Sequence, residues 1–385
     1  MATIRKRGDS YQIRVSCGYD MNHKQIIRTK TWKPSPDMTA KQIEKELNKQ
    51  AVLFEEDCIN GYMNSSTKFA EFAERWKEEY ALKHLKLTSL DTLGHKMSRI
   101  NEEIGHLKLE KINKRTIQEL IQKLLNGSGS HKPLCAKTVK NYISYVSSVL
   151  NYAISLDMLS SNPCRNANLP PVKKVTREMY TLDEAQLFID KLIEKAPIMY
   201  QCYFILMIYS GFRRGEMCGL TWDDIDFDNH IITINKALYH ITEKGATIDT
   251  PKTAASNRSL RIADEVFDFL QRLKEHYEKE ADRLGTKWIE NNFVFKRNDG
   301  SILSPLAPNE WLHRFCDREG LKYVVPHSFR HLNASLLIDS GASVKAVQAC
   351  MGHSEASTTL NIYTHLFSKA QAKASQAVAS NFKLI

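Results

Sequence analysis

Between residues 139 and 154, apolar side chains recur at Val139, Tyr142, Ile143, Val146, Val149, Leu150, Ala153 and Ile154. This is i, i+3, i+4, i+7 spacing held over four turns, and it commits the segment to an amphipathic helix with one buried face. Two shorter stripes precede it: Phe69, Phe72, Ala73 and Trp76, then Ile112, Ile117, Leu120, Ile121 and Leu124. No such face is satisfied alone. Residues 66 to about 165 are therefore expected to form a bundle of four or five helices, with Gly127-Ser128-Gly129-Ser130 as the connection before the last. Asn162-Pro163 is expected to halt that helix, since the residue before a proline is pushed out of the α region.

On either side of the bundle the period changes. Residues 3–33 alternate polar and apolar positions (Tyr11, Ile13, Val15, then Ile26 and Ile27), broken by the turn-prone Gly18-Tyr19-Asp20-Met21-Asn22. Two or three short antiparallel strands follow from that pattern. Pro34 and Pro36 end them, and from Thr39 the residues Ile43, Leu47, Ala51 and Phe54 share a helical face that closes near Gly61. The expected unit is a three-stranded sheet backed by one helix. Eight basic side chains lie in residues 1–33 against only Asp9 and Asp20, which makes Arg5, Arg14 and Arg28 candidate DNA contacts; the alternative is a merely solvated basic face. Beyond the bundle, the stretch from Asn168 to Lys174 reads as an extended basic linker ending in Lys173 and Lys174. A Thr-x-x-Glu capping box, Thr181 to Glu184, opens a third region. That region is mostly helical, with a β-rich insert (His230 to Ile241, Ala246 to Lys252, Ser259 to Ile262) and a strand pair bracketing Asp299-Gly300. The fold class expected is multidomain, mainly α with small β elements, divided at 1–64, 65–167, a linker at 168–179, and 180–385.

A chain of 385 residues exceeds the usual single-core size, in keeping with that division. Its formal net charge of +10 and pI near 9.0 favour a polyanionic partner, nucleic acid or an anionic membrane surface. The eight cysteines are scattered with no C-x-x-C pair, which argues against a zinc ribbon and against a secreted disulfide framework. No run approaches ~18 apolar residues and the N-terminus lacks an apolar stretch, so neither a membrane span nor a signal peptide is expected. A cytoplasmic protein is the expectation.

Several short stretches carry chemistry. In Gly211-Phe-Arg213-Arg214-Gly-Glu216, Arg213 and Glu216 sit three apart on one helical face, as many surface ion pairs do. Lys252 lies at the end of a β-insert strand, where a lone lysine is ordinarily solvated. In His327-Ser-Phe-Arg330-His331, Pro326 pre-sets a helix start and the i, i+3 spacing turns His327 and Arg330 the same way. His327 and His331 also have the spacing of a zinc pair, but the glutamate of H-E-x-x-H and an acidic third ligand nearby are lacking. Ser343 should cap a short helix that Gly352 ends, so His353 falls at a fixed turn. Tyr363 follows ten residues later among Ile and Leu neighbours, where a core tyrosine is the ordinary reading.

Taken together, the order Arg213, Lys252, His327-x-x-Arg330, Gly352-His353, Tyr363 resembles the catalytic set of the tyrosine recombinases, the phage-integrase-like enzymes. The plan over the whole chain is most similar to integrases of conjugative transposons. The sequence departs from the family beside these positions, at Phe212, Met217, Met351 and Leu332-Asn333. The resemblance implies an arm-site DNA-binding first domain, a core-binding helical (SAM-like) second domain and a catalytic third. It also implies a Tyr363 nucleophile that forms a 3′-phosphotyrosine, Lys252 as general acid, Glu216 in support of Arg213, and no metal or ATP. Partners implied are double-stranded DNA at core and arm sites and an active homo-tetramer joined through the C-terminal tail; a small excision factor is a further possible partner. Type IB topoisomerases and telomere resolvases share the chemistry, and the separate N-terminal domain speaks against both. A DNA-binding regulator without catalysis and a metal-dependent nuclease are the rivals of other classes.

Overall fold

The computed structural model describes residues 2–19, 25–59, 67–172, 178–242, 244–249 and 257–352. The chain divides into two units, Met1–Lys174 and Val175–Ile385. Each has its own core.

In the first unit, β1 (Thr3–Arg7), β2 (Ser10–Tyr19) and β3 (Gln25–Trp32) form an antiparallel sheet in that order. Alternation on β2 sends Ile13 and Val15 against Leu47, Ala51 and Phe54 of α1 (Ala40–Ile59). Register then sorts the basic residues. Arg14 pairs with Thr3 and Thr29, and Arg5 with Gln12, on the face turned away from α1. Arg28 pairs with Val15 and so lies on the α1 side, as does Lys30, whose Nζ donates to Gln50 Oε1 at 3.1 Å.

The helical stripes build a second core in this unit. A π turn, Lys77–Ala81, joins α2 (Phe69–Trp76) to α3 (Leu82–His84); α4 (Leu87–Asp91), α5 (Leu93–Ile104), α6 (Lys114–Asn126) and α7 (Ala136–Ser155) follow. Every residue of the stripes on α2 and α6 is buried, as are Val139, Ile143, Val146, Val149, Leu150 and Ala153 of α7. One boundary differs from expectation. Helix α7 stops at Ser155, where Asp157 takes a positive φ of 55°, and Pro163 instead opens a 3-10 turn capped by the Asn162 side chain.

In the second unit, α8 (Leu182–Lys195) begins with the capping box: Thr181 N donates to Glu184 Oε2 at 2.8 Å and Glu184 N to Thr181 Oγ1 at 3.2 Å. The next helix, α9 (Ile198–Ser210), is apolar all round and buried almost throughout, which marks it as the central element. A short α10 (Arg214–Gly219) precedes the β insert, and α11 (Asp264–Leu284), α12 (Ala307–Arg318), α13 (His327–Asp339) and α14 (Val344–Met351) complete the unit. Helices α8, α11 and α13 pack on α9. Phe188 at 0% exposure is ringed by Phe204, Phe315 and Phe329 with centroids 5.1 to 6.1 Å away.

The β insert is split differently from the sequence reading. Residues 230–241 form two strands in two sheets: β5 (Ile231–Ile234) lies between β4 (Ile225–Asp226) and β8 (Arg258–Arg261), while β6 (Ala237–Ile241) pairs with β7 (Gly245–Asp249). Asp224 causes the break by accepting from Asn235 Nδ2 at 2.8 Å and Lys236 Nζ at 2.6 Å. Around Asp299-Gly300 only a single bridge forms, Lys296 to Ile302, in place of a strand pair. The backbone of 292–296 bonds elsewhere, with Val294 N on Leu220 O at 2.9 Å and Lys296 N on Tyr277 Oη at 3.1 Å. Among the described residues no helix is long and apolar enough to cross a membrane.

The aromatic centre sets the stability of this unit. Phe188→Ala should cost about 3–5 kcal/mol through lost transfer energy and a cavity the surrounding rings cannot close; urea unfolding of the full chain measures it, and a loss below about 1 kcal/mol would mean the site collapses freely.

Candidate active site

An α-helix leaves its last carbonyls without intrahelical donors, and its C-terminus carries partial negative charge. Helix α14 is short, started by Ser343 Oγ accepting from Ala346 N at 3.1 Å and ended by Gly352 in the left-handed region, φ +59°. Three arginines from three separate elements take its last carbonyls. Arg258 Nε of β8 donates to Cys350 O at 2.9 Å, Arg330 Nη2 of α13 donates to Met351 O, and Arg213 Nη2 donates to Gly352 O at 2.9 Å. The next residue along the chain is His353.

Arg330 also reaches the end of α9, where its Nη1 donates to Gly211 O at 2.7 Å. Gly211 stops α9 at φ +64°, and a Cβ there would lie 2.6 Å from Met351 Cε and 2.9 Å from Asn333 Oδ1. No other residue fits that contact without a shift. Asn333 Nδ2 serves the neighbouring orphan carbonyls, Ile208 O and Tyr209 O, each at 2.8 Å. Two of the departures from the family pattern, Met351 and Asn333, thus meet across Gly211.

Glu216 stands at the third position of α10 and turns back to the helix start. Its Oε2 accepts from Arg213 N at 2.9 Å, its Oε1 from Arg213 Nη1 at 2.7 Å, and Arg258 adds Nη2 to Oε2 at 2.8 Å and Nη1 to Oε1 at 3.3 Å. The carboxylate side chain is only 3% exposed. Burial pushes its pKa up, but the hydrogen bond and charge of Arg258, followed by the charge of Arg213, outweigh it and hold the group below the ordinary 4.5. Arg258 lies over the Phe212 ring, 5.2 Å from the centroid.

Of the residues singled out from sequence, the fold brings Arg213, Glu216 and Arg330 together. The Arg213 side chain is 37% exposed, whereas Arg330 is 2% exposed, so Arg213 is the more open of the two guanidiniums. His327 is exposed at the first turn of α13, its ring 4.8 Å from that of His331 and perpendicular to it. Among the described residues no third ligand-type side chain joins that pair. Lys252, His353 and Tyr363 lie outside the described residues, as do Lys173, Lys174 and the C-terminal tail. Arg5 and Arg14 are exposed on one sheet face, with Arg28 on the other. Sequence reasoning missed Arg258. The signal was its phase: Arg258, Leu260 and Ile262 alternate, which places an arginine on the inward side of a strand.

A model of the phage integrase family matches residues 178–370, and one of the N-terminal SAM-like domain of phage integrases matches residues 68–125. The first covers half the chain and spans all six expected catalytic positions. A tyrosine recombinase XerC-like protein of Caldanaerobacter subterraneus is 26% identical over 404 residues, covering 98% of both chains. The ICEBs1 integrase of Bacillus subtilis is 25% identical over 381 residues, covering 96% of this chain and 97% of that one. Among solved structures, the Tn1549 transposon integrase in complex with a circular intermediate DNA superposes with a TM-score of 0.69 at 21% identity, covering 81% of this chain and 100% of that one. The chain belongs to the phage integrase family and is a site-specific recombinase of the tyrosine type.

The lowered pKa of Glu216 has a thermodynamic consequence. A carboxylate depressed in the folded state contributes stability that is present above its unfolded pKa and lost as pH falls through the folded value. Glu216→Gln should therefore destabilise the chain at pH 7 by about 3 kcal/mol, the lower end for breaking a buried ion pair. The difference from the unsubstituted chain should shrink as pH drops below the ordinary 4.5. Thermal unfolding of both chains across pH 3–7 measures this, and a pH-independent difference would contradict it.

Proposed function

We propose that this recombinase cleaves and rejoins DNA through Tyr363, whose phenolic oxygen attacks the scissile phosphorus. The Tyr363 oxygen–phosphorus bond forms as the bond to the 5′ oxygen breaks, leaving a 3′-phosphotyrosine and a 5′-hydroxyl. Lys252 supplies the proton to the departing oxygen, and His353 with His327 donates to the phosphate and takes the tyrosine proton. Arg213 and Arg330 neutralise the charge that builds on the non-bridging oxygens, being cationic at any working pH. The observation that supports this reading is the convergence of Arg213 and Arg330, 117 positions apart, on carbonyls of two consecutive residues immediately before His353. Bond energy is retained in the phosphotyrosine, so a second 5′-hydroxyl can reverse the step.

The lambda integrase has been solved as a dimer on a core site and as a tetramer on a Holliday junction, with TM-scores of 0.55 and 0.54 to this chain. We carry the same assembly over: four copies on paired core sites, joined through the C-terminal tail, integrating and excising a mobile element in the cytoplasm. In this reading residues 1–64 bind arm sites through the face carrying Arg5 and Arg14, residues 65–167 bind the core site, 168–179 is the linker with Lys173 and Lys174 near phosphates, and 180–385 cleaves. Arg28, on the α1 side of the sheet, is the weakest of the proposed contacts.

Tyr363→Phe should bind DNA normally and form no covalent adduct on a nicked suicide duplex, read by gel and by mass spectrometry of the modified peptide. Adduct in that variant would reject the nucleophile. Lys252→Ala should lose cleavage on ordinary DNA by at least about 100-fold, as general acids contribute, and recover on a 5′-bridging phosphorothiolate, whose thiolate leaves without a proton. Equal loss on both substrates would remove Lys252 from that role.

A further inference from the structure

Arg258 belongs to none of the roles given so far, yet its guanidinium, like that of Arg213, touches both Glu216 and the end of α14. Its side chain is 7% exposed. One edge donates to both carboxylate oxygens of Glu216, at 2.8 and 3.3 Å, and Nε donates to Cys350 O at 2.9 Å. The Phe212 ring supports the plane from below at 5.2 Å. Glu216 in turn holds Arg213 through both its backbone N–H and its Nη1. A planar fork with donors in fixed directions can fill such a bridge; a lysine ammonium can meet only part of it.

We propose that Arg258 is a positioning residue for strand cleavage: by gripping Glu216 and the end of α14 at once, it keeps the Arg213 guanidinium in register with the turn that leads into His353. The proposal rests on the reading of Arg213 and His353 given above. Arg258 itself has no contact with the reacting phosphate in this scheme. It acts through the carboxylate, because a misaligned Arg213 forfeits transition-state stabilisation while ordinary DNA affinity comes from many other cations.

The same arrangement ties the role to pH. Among the described residues, the charged groups around the Glu216 carboxylate are Arg213 from the preceding turn and Arg258 from β8, with Arg330 of α13 on the adjacent Met351 carbonyl; from β6, Tyr239 approaches Gly215. Without Arg258, burial is opposed among the described residues by Arg213, a weaker counterweight, and the carboxylate protonates at higher pH. Protonated Glu216 no longer anchors Arg213, so the acid limb of cleavage moves upward.

The test is single-turnover cleavage of a suicide duplex by the full chain, with Arg258→Met and Arg258→Lys compared with the unsubstituted protein across pH 5–8, alongside DNA binding and melting temperature. Expected for Arg258→Met are cleavage down about 100-fold, the scale of a small misplacement of a catalytic group, DNA affinity within about threefold, and an acid limb displaced to higher pH. Arg258→Lys should recover about tenfold of the rate, since it retains the charge but not the fork. If Arg258→Met does not fold, Arg258→Lys alone decides by the position of its acid limb. Unchanged cleavage, an unmoved acid limb, or a rate loss matched by lost DNA binding would each overturn the proposal. All rates are ratios to a protein that itself forms the Tyr363 adduct, so absence of adduct there would fail the proposed function and not this inference.

Discussion

The end of one eight-residue helix organises the arginine cluster of the second unit. Helix α14 closes on Gly352 with its final carbonyls directed to guanidiniums from β8, α13 and the turn before α10. A helix C-terminus is a fixed cluster of partial negative charge, and arginine is the side chain whose geometry matches it without being deprotonated. The interaction serves two ends. It satisfies backbone groups that burial would otherwise leave unpaired, and it gathers three cations from distant segments at one place.

Three guanidiniums in one place repel one another, and the fold offsets this with one buried carboxylate and the carbonyl dipoles. Glu216 accepts from two of the arginines with both oxygens. Exposure is graded across the cluster, from Arg330 at 2% through the Arg258 side chain at 7% to that of Arg213 at 37%. The deeper groups hold the shallower one. Charge assembled in advance needs little reorganisation when negative charge develops on the phosphate, and this is how fixed donors and cations lower such a barrier most.

Three of the departures from the family pattern find their meaning in the same place. Phe212 supplies the ring beneath Arg258, and Asn333 ties the end of α9 while Met351 fills the space beside Gly211. These side chains pack around the cations and leave the donors in place. In the first unit an analogous sorting occurs by register: the two-residue period of β2 separates the face of Arg14 from the face of Val15, and carries Arg5 to one side and Arg28 to the other.

Much of this was legible from local pattern. The stripe on α7, the Thr181 capping box and the glycine stops at 211 and 352 all follow from periodicity and backbone preference, which act over a few residues. Where reading failed, a distant partner intervened. The strand over 230–241 divides because Asp224 captures Asn235 and Lys236, and 292–296 pairs with Leu220 and Tyr277 instead of with 302–303. Arg213 and Glu216 looked like a surface pair three residues apart, but Arg258, 42 positions on, joins the pair and its carboxylate is buried. Sequence alone thus determined which segments become helices and where several of those helices start or stop. Only the tertiary structure decided which cations share an acceptor and which of them faces solvent, because burial and hydrogen bonding between distant segments depend on how those segments pack.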